Sequence, residues 1–136
     1  MNAKAEKRAG LRRSHCPVAN TLDIVGDKWS LLIIRDMRHG KRTYGELAES
    51  PEGIPTNILA DRLKRLEEAG IIERTAYQER PVRFAYTLTD KGQDLGELLG
   101  ALVRWGKKHI PGTRTLSEVT GGRVRPGGSP AAGSRK

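Results

Sequence analysis

Apolar residues recur along the chain first at helical spacing, then at strand spacing, then at helical spacing again. Leu22, Ile24 and Val25 mark a short helical segment over 20–25. Asp27 is placed to cap a longer helix that reaches about His39, with Gly40 as its stop. In that helix Trp29, Leu32, Ile33 and Met37 form one face, and Leu31 and Ile34 extend it nearly all round. A helix apolar on most sides is central to a core or shared with a partner. A short helix over 44–49 follows, ended by Ser50-Pro51-Glu52-Gly53. Pro55 suits the first position of the next helix, which runs to about Ala69 before Gly70 closes it.

Two strand-like runs come next, over 71–78 and 82–88, around Glu79-Arg80-Pro81. Phe84, Tyr86 and Leu88 alternate with Arg83, Ala85 and Thr87, the period of a half-buried strand. Thr89 or Asp90 then caps a long helix to about His109, whose apolar side carries Leu95, Leu98, Leu99, Leu102 and Trp105. Gly92, Gly96, Gly100 and Gly106 recur along it, a spacing that permits close helix approach and reads as interface packing. The expected fold is mainly α with a small β-hairpin: four helices, a hairpin and a final helix.

The two ends break the pattern. From Gly112 to residue 136 the chain is rich in Gly, Pro, Ser and Arg and has few large apolar residues, which predicts disorder. Residues 1–13 read as a flexible basic arm, which leaves 14–111 as the ordered domain. A unit that small lies near the lower end of sizes that bury a sufficient core alone, so a dimer is expected.

Charge follows the same division. The chain of 136 residues carries a formal +9, but residues 1–14 and 111–136 each hold +4 and the stretch between them only +1. The basic tails attract polyanions without selecting among them. The longest apolar run, Leu31-Leu32-Ile33-Ile34, falls far short of the ~20 residues of a membrane span. The first fifteen residues lack an apolar segment of the secretory kind, so a cytoplasmic protein is expected. Cys16 is the sole cysteine, which excludes a disulfide scaffold and a multi-cysteine zinc site. His15, His39 and His109 sit at segment ends, without metal-protease spacing or a glycine-rich phosphate loop nearby. Neither a catalytic site, a metal nor a cofactor is expected.

Two short helices joined by a turn and followed by a hairpin make a winged helix-turn-helix, whose second helix enters the DNA major groove. At 100° per residue, Leu59, Leu63, Leu66 and Pro55 share one side of that helix, and Asn57, Asp61, Lys64 and Glu68 the other, with Arg65 at the flank. Thr56, Asn57, Asp61, Lys64 and Arg65 are therefore candidate DNA contacts, with Arg80 and Arg83 at the wing tip. Lys41, Arg42 and Tyr44, at the start of the first helix of the pair, complete the set. A charged face opposite a leucine stripe is also the default of any surface helix, so the order of elements carries more weight than the charges. The competing reading is a winged helix that contacts protein and binds no specific DNA.

The residues also resemble a family. Cys16-Pro17-Val18, Leu22 through Trp29, Leu31 through Arg35, Tyr44-Gly45-Glu46-Leu47, Ile54 through Ile72, Tyr86 through Gly92 and Trp105-Gly106 are similar to the HxlR-type transcriptional regulators. The resemblance covers roughly 16–109. It implies a dimeric winged-helix regulator, expected to be a repressor, on near-palindromic double-stranded operator DNA. It further implies a dimer interface built by the N-terminal segment and the last helix, for which Leu22, Val25, Leu95, Leu98, Leu99, Leu102 and Trp105 supply the apolar surface. The resemblance also implies a candidate sensor of electrophiles or oxidants at Cys16, since several family members are thought to use a cysteine at this place and Cys16-Pro17 matches that motif. Independently, Pro17 at a helix start puts Cys16 at the N-cap, where free N–H groups and the helix dipole favour a thiolate, with Arg12 and Arg13 just upstream. Should the thiol be inert, an effector is expected in a non-covalent pocket near Trp29 and Trp105.

Overall fold

The computed structural model describes residues 13–119. Helix α1 (Pro17–Val25) opens the chain, with Cys16 as N-cap and Pro17 at the first helical position. Pro fits there because its missing N–H would be unpaired in any case. The helix thus starts three residues before the expected 20.

Asp27 organises the entry to α2 (Ser30–Arg38). Its Oδ2 accepts from the backbone N–H groups of Trp29 and Ser30 at 2.9 and 3.0 Å, and Ser30 Oγ donates to Oδ1 at 2.6 Å. Helix α3 (Tyr44–Ala48) starts from a capping box: Thr43 Oγ1 accepts from Glu46 N, and the Glu46 carboxylate accepts from the Thr43 N–H in return. Helix α4 covers Thr56–Glu68. Pro55 lies outside it as an exposed N-cap with extended backbone, so it does not share the face of Leu59, Leu63 and Leu66 as expected. Gly40 and Gly70 stop α2 and α4 at φ of 98° and 76°, a region other residues avoid.

Strands β1 (Ile72–Glu79) and β2 (Val82–Leu88) pair antiparallel, from Ile72 opposite Leu88 to Glu79 opposite Val82, with an irregularity between Ala76 and Gln78. A bridge between Thr43 and Ala85 joins the loop before α3 to this hairpin. The expected last helix is split. Thr89 caps α5 (Asp90–Gln93), and α6 (Leu95–His109) follows after a break at Asp94.

Val25, Ile33, Ile34, Met37, Leu47, Ile54, Leu59, Leu63, Leu66, Ile71 and Ile72 form the core, with Leu95, Leu98 and Leu99 packed on its edge. Two glycines of the 92–106 series serve this packing within the chain. A Cβ at Gly92 would lie 2.2 Å from the Ile71 carbonyl oxygen, and one at Gly96 2.5 Å from the Arg38 guanidinium. Gly106 has open space around it.

The expectation of disorder from Gly112 onward fails over its first part. Helix α7 (Leu116–Val119) starts from a second capping box, in which Glu118 N donates to Thr115 Oγ1 at 3.1 Å and Thr115 N to Glu118 Oε1 at 2.7 Å. Lys107 Nζ pairs with Glu118 at 2.6 Å, and the His39 ring meets Ser117 Oγ at 2.9 Å, which holds the turn against α6 and α2. The basic arm and the rest of the tail lie outside the described residues. No helix among the described residues is long and apolar enough to cross a membrane.

Candidate nucleic-acid interface

Three polar anchors fix α4 relative to the rest of the chain. The first joins it to the start of α2: Arg62 Nε donates to Asp27 Oδ2 at 2.9 Å, and Arg62 also pairs with Asp61. Burial alone would raise the Asp27 pKa, but the hydrogen bonds from Ser30 and Arg62 and from the Trp29 and Ser30 amides outweigh it and bring it down to about 2. The second anchor closes the turn between α3 and α4. Tyr44 Oη donates to the Thr56 carbonyl at 2.8 Å. The third spans from α2 to that same turn: Arg35 Nη1 and Nη2 donate to the two Glu52 oxygens at 2.9 and 2.7 Å. The Arg35 bonds hold Glu52 at about 2, and Arg35 at the same time donates to Oδ1 of the buried Asp36. A forked guanidinium–carboxylate contact of this kind adds direction as well as strength.

With α4 held in this way, its outward side is well defined. Thr56, Asn57 and Lys64 are exposed, and their side chains make no hydrogen bond or ion pair among the described residues. Asp61 and Arg65 are exposed but engaged with each other, Arg65 Nε to Asp61 Oδ2 at 3.1 Å, and Asp61 also receives Arg62. The Asp61 carboxylate thus pairs within α4, and the Tyr44 hydroxyl donates to the turn.

The hairpin projects beside α4. Arg80 and Arg83 are exposed at its tip, where Gln78 Nε2 donates to the Pro81 carbonyl at 3.1 Å. Arg74 lies 4.3 Å over the Phe84 ring and 3.5 Å from Glu67, which ties the strands to the last turn of α4. Tyr86 N donates to the Arg42 carbonyl at 2.7 Å, so Lys41 and Arg42 sit at the base of the hairpin. Thr56, Asn57, Lys64 and Arg65 on α4, Arg42 before α3, and Arg80 and Arg83 at the hairpin tip are exposed, and Lys41 is half-buried.

Arg62, Arg35, Glu52 and Arg74 are not singled out by the sequence pattern. Arg62 carries a signal even so: at 60° from Leu59 on the helical wheel it borders the leucine stripe, and a cation there requires a nearby acceptor. The Arg35–Glu52 contact, across 17 residues, carries none.

The residues expected at a subunit interface divide. Leu22, Leu102 and Trp105 are exposed, at 54, 49 and 61%. Val25 is 2% exposed within the core of its own chain, which removes it from any such surface. Leu95, Leu98 and Leu99 are half-buried against that same core. Cys16 is free and exposed at the N-cap of α1. Arg13, expected beside it, instead binds Asp23 at 2.7 Å. Trp29 lies under the Lys28 ammonium and Trp105 against His109, and neither lines the groove between α2 and α6.

A turn-linked helix pair followed by a hairpin that flanks the second helix defines a winged helix-turn-helix protein. The profile of the HxlR-like helix-turn-helix family matches residues 24–114, and the chain belongs to that family. It is 39% identical over 94 residues to Mb3122 of Mycobacterium bovis, named an uncharacterised HTH-type transcriptional regulator, over 69% of this chain and 59% of that protein. The chain thus spans well under two thirds of that relative's length. Among solved structures, PA1607, described as a candidate transcription factor, matches with a TM-score of 0.68 and 39% identity, over 77% of this chain and 74% of that one. The reduced form of the transcriptional regulator YodB from B. subtilis matches with a TM-score of 0.60 and 31% identity, over 74% and 100%. All three are named as transcriptional regulators or transcription factors.

Proposed function

We propose that the chain is a repressor that binds near-palindromic double-stranded operator DNA as a homodimer. Helix α4 lies in the major groove, and the wing contacts the flanking backbone. The observation that carries this reading is a free amide, hydroxyl and ammonium at Asn57, Thr56 and Lys64 on a helix fixed by three independent anchors. A side chain that reads base edges gains discrimination when its backbone is already in place. Asn57 suits a bidentate contact to adenine, and Lys64, Arg80 and Arg83 suit phosphates. The exposed Leu22, Leu102 and Trp105 support the dimer. A two-fold axis through them sets two α4 helices about one DNA turn, roughly 34 Å, apart.

Cys16 gives the dimer an oxidant-sensitive element in this reading. It is exposed, and the solved relatives include YodB in reduced and diamide-treated forms and HypR, called a redox regulator, in reduced and oxidised forms. A single cysteine per chain confines its products to a sulfenic acid, a mixed disulfide or a bond to a second subunit.

The test is selection of genomic fragments by the purified chain at physiological salt. Asn57→Ala is expected to lose roughly 1–3 kcal/mol of discrimination at one position of each half-site, with non-specific affinity unchanged. A wild-type protein that retains no fragment preferentially overturns the reading in favour of a protein-contact module. Diamide is expected to alter retention reversibly in the wild type and not in Cys16→Ser.

A further inference from the structure

Helices α2 and α6 and the segment 113–117 line an open groove of about 1090 Å³. Its lining joins an apolar floor, to which Leu31, Leu99 and Val103 contribute, with five Arg and Lys side chains against two carboxylates. Arg104 and Arg114 stand on it without an ion pair among the described residues. An apolar cleft with a few convergent charges is the usual form of a small-molecule site, and ~300–1,000 Å³ is the usual size. Uncovered apolar surface next to unpaired guanidinium groups favours a ligand that covers the one and neutralises the other.

We propose that this groove binds a drug-sized organic anion, with its apolar body on Leu31, Leu99 and Val103 and its charged group between Arg104 and Arg114. The size excludes a benzoate-like ligand as a filling occupant and suits a polycyclic aromatic or long acyl body. Leu102 also lines the groove, which therefore adjoins the surface proposed for the dimer, but Trp105 does not line it. On a helix, Val103 and Trp105 point about 160° apart, so a partner on Trp105 leaves Val103 uncovered.

The test uses two probes on the full chain, 8-anilinonaphthalene-1-sulfonate and its uncharged analogue N-phenyl-1-naphthylamine. The sulfonate is expected to saturate at about one per chain. Arg104→Gln with Arg114→Gln should weaken it about tenfold or more, while the neutral probe moves less than about twofold. Gly100→Trp fills the groove from a helical position where a Cβ meets only the flexible end of Arg104, Nη1 at 3.4 Å. It should abolish binding of both probes with an unchanged sedimentation coefficient. Unchanged sulfonate binding in either variant, or none by the wild type, overturns the site. A change of oligomeric state on Gly100→Trp also overturns it, because the occupant is then a second copy of the chain.

Discussion

Helices α4 and α6 are similar in length, 13 and 15 residues, yet they end their folding in opposite conditions. Helix α4 buries Leu59, Leu63 and Leu66 almost completely within its own chain and turns a polar side outward. Helix α6 buries no residue fully and leaves Leu102, Val103 and Trp105 exposed. The first is complete as a subunit and presents specific groups. The second leaves apolar side chains uncovered within its own chain. An apolar stripe therefore records that a residue will be buried, and not which body will bury it.

The largest effects separate these two conditions directly. Leu59→Ala removes a fully buried side chain and should cost about 2–5 kcal/mol, measured by urea unfolding. Leu102→Asp with Trp105→Asp alters side chains that lie outside the subunit's core. That pair should leave circular dichroism native and halve the sedimenting mass. Aspartate at Leu99 would confuse the result, since Leu99 supports the subunit's own core. A dimer that survives the double change, or a subunit that tolerates Leu59→Ala at under roughly 1 kcal/mol, breaks the contrast.

Much of α2, α4 and the hairpin was legible because local chemistry and burial agree there. Asp27 caps, Gly40 and Gly70 stop, and the Leu59–Leu63–Leu66 spacing matches one helical face. The break at Asp94 was not legible, because neither Gly nor Pro stands at that position. Val25 was misplaced for the reason that α6 teaches. Its helix is otherwise exposed at Leu22 and Ile24, and nothing in the spacing shows that Val25 alone turns inward. The turn at 116–119 was hidden by composition: a Gly- and Pro-rich context masked Thr115-x-x-Glu118, a capping-box spacing that was readable. At the proposed DNA surface the exposed groups followed from the wheel. Their anchors did not, because long-range ion pairs leave no period.

A middle-sized effect tests whether those anchors hold the outward side of α4. The Asp27 pKa is lowered from 3.8 to about 2, so its charged form stabilises the folded state above about pH 4, and that stabilisation disappears as pH falls through 2. The side chain is 29% exposed, so about 1–2 kcal/mol is expected, less than Leu59→Ala. Glu52 acts in the same direction but is more exposed, and falls within the range of surface pairs. Asp27→Asn keeps a capping side chain and removes the charge. It should lower stability at neutral pH and flatten the decline between about pH 4 and 2. An unchanged acid transition would place the Asp27–Arg62 contact among pairs that orient without stabilising.

The smallest expected effect on discrimination is none at all, and it concerns the tail. Residues 120–136 carry Arg123, Arg125, Arg135 and Lys136 and no carboxylate side chain, while the groups proposed to read bases stand on α4. Charges of this kind act on phosphate through counterion release, whose strength depends on salt and not on sequence. Removing 120–136 spares the Lys107–Glu118 and His39–Ser117 contacts that hold the 116–119 turn. Affinity for every fragment should then fall by a similar factor. The slope of log affinity against log salt should flatten by up to about 0.9 for each phosphate that the tail no longer neutralises. The preference between operator and random DNA at one salt concentration should stay where it was. If truncation erased that preference while Asn57→Ala left it intact, selectivity would reside in the tail, and α4 would be a docking helix without a reading role.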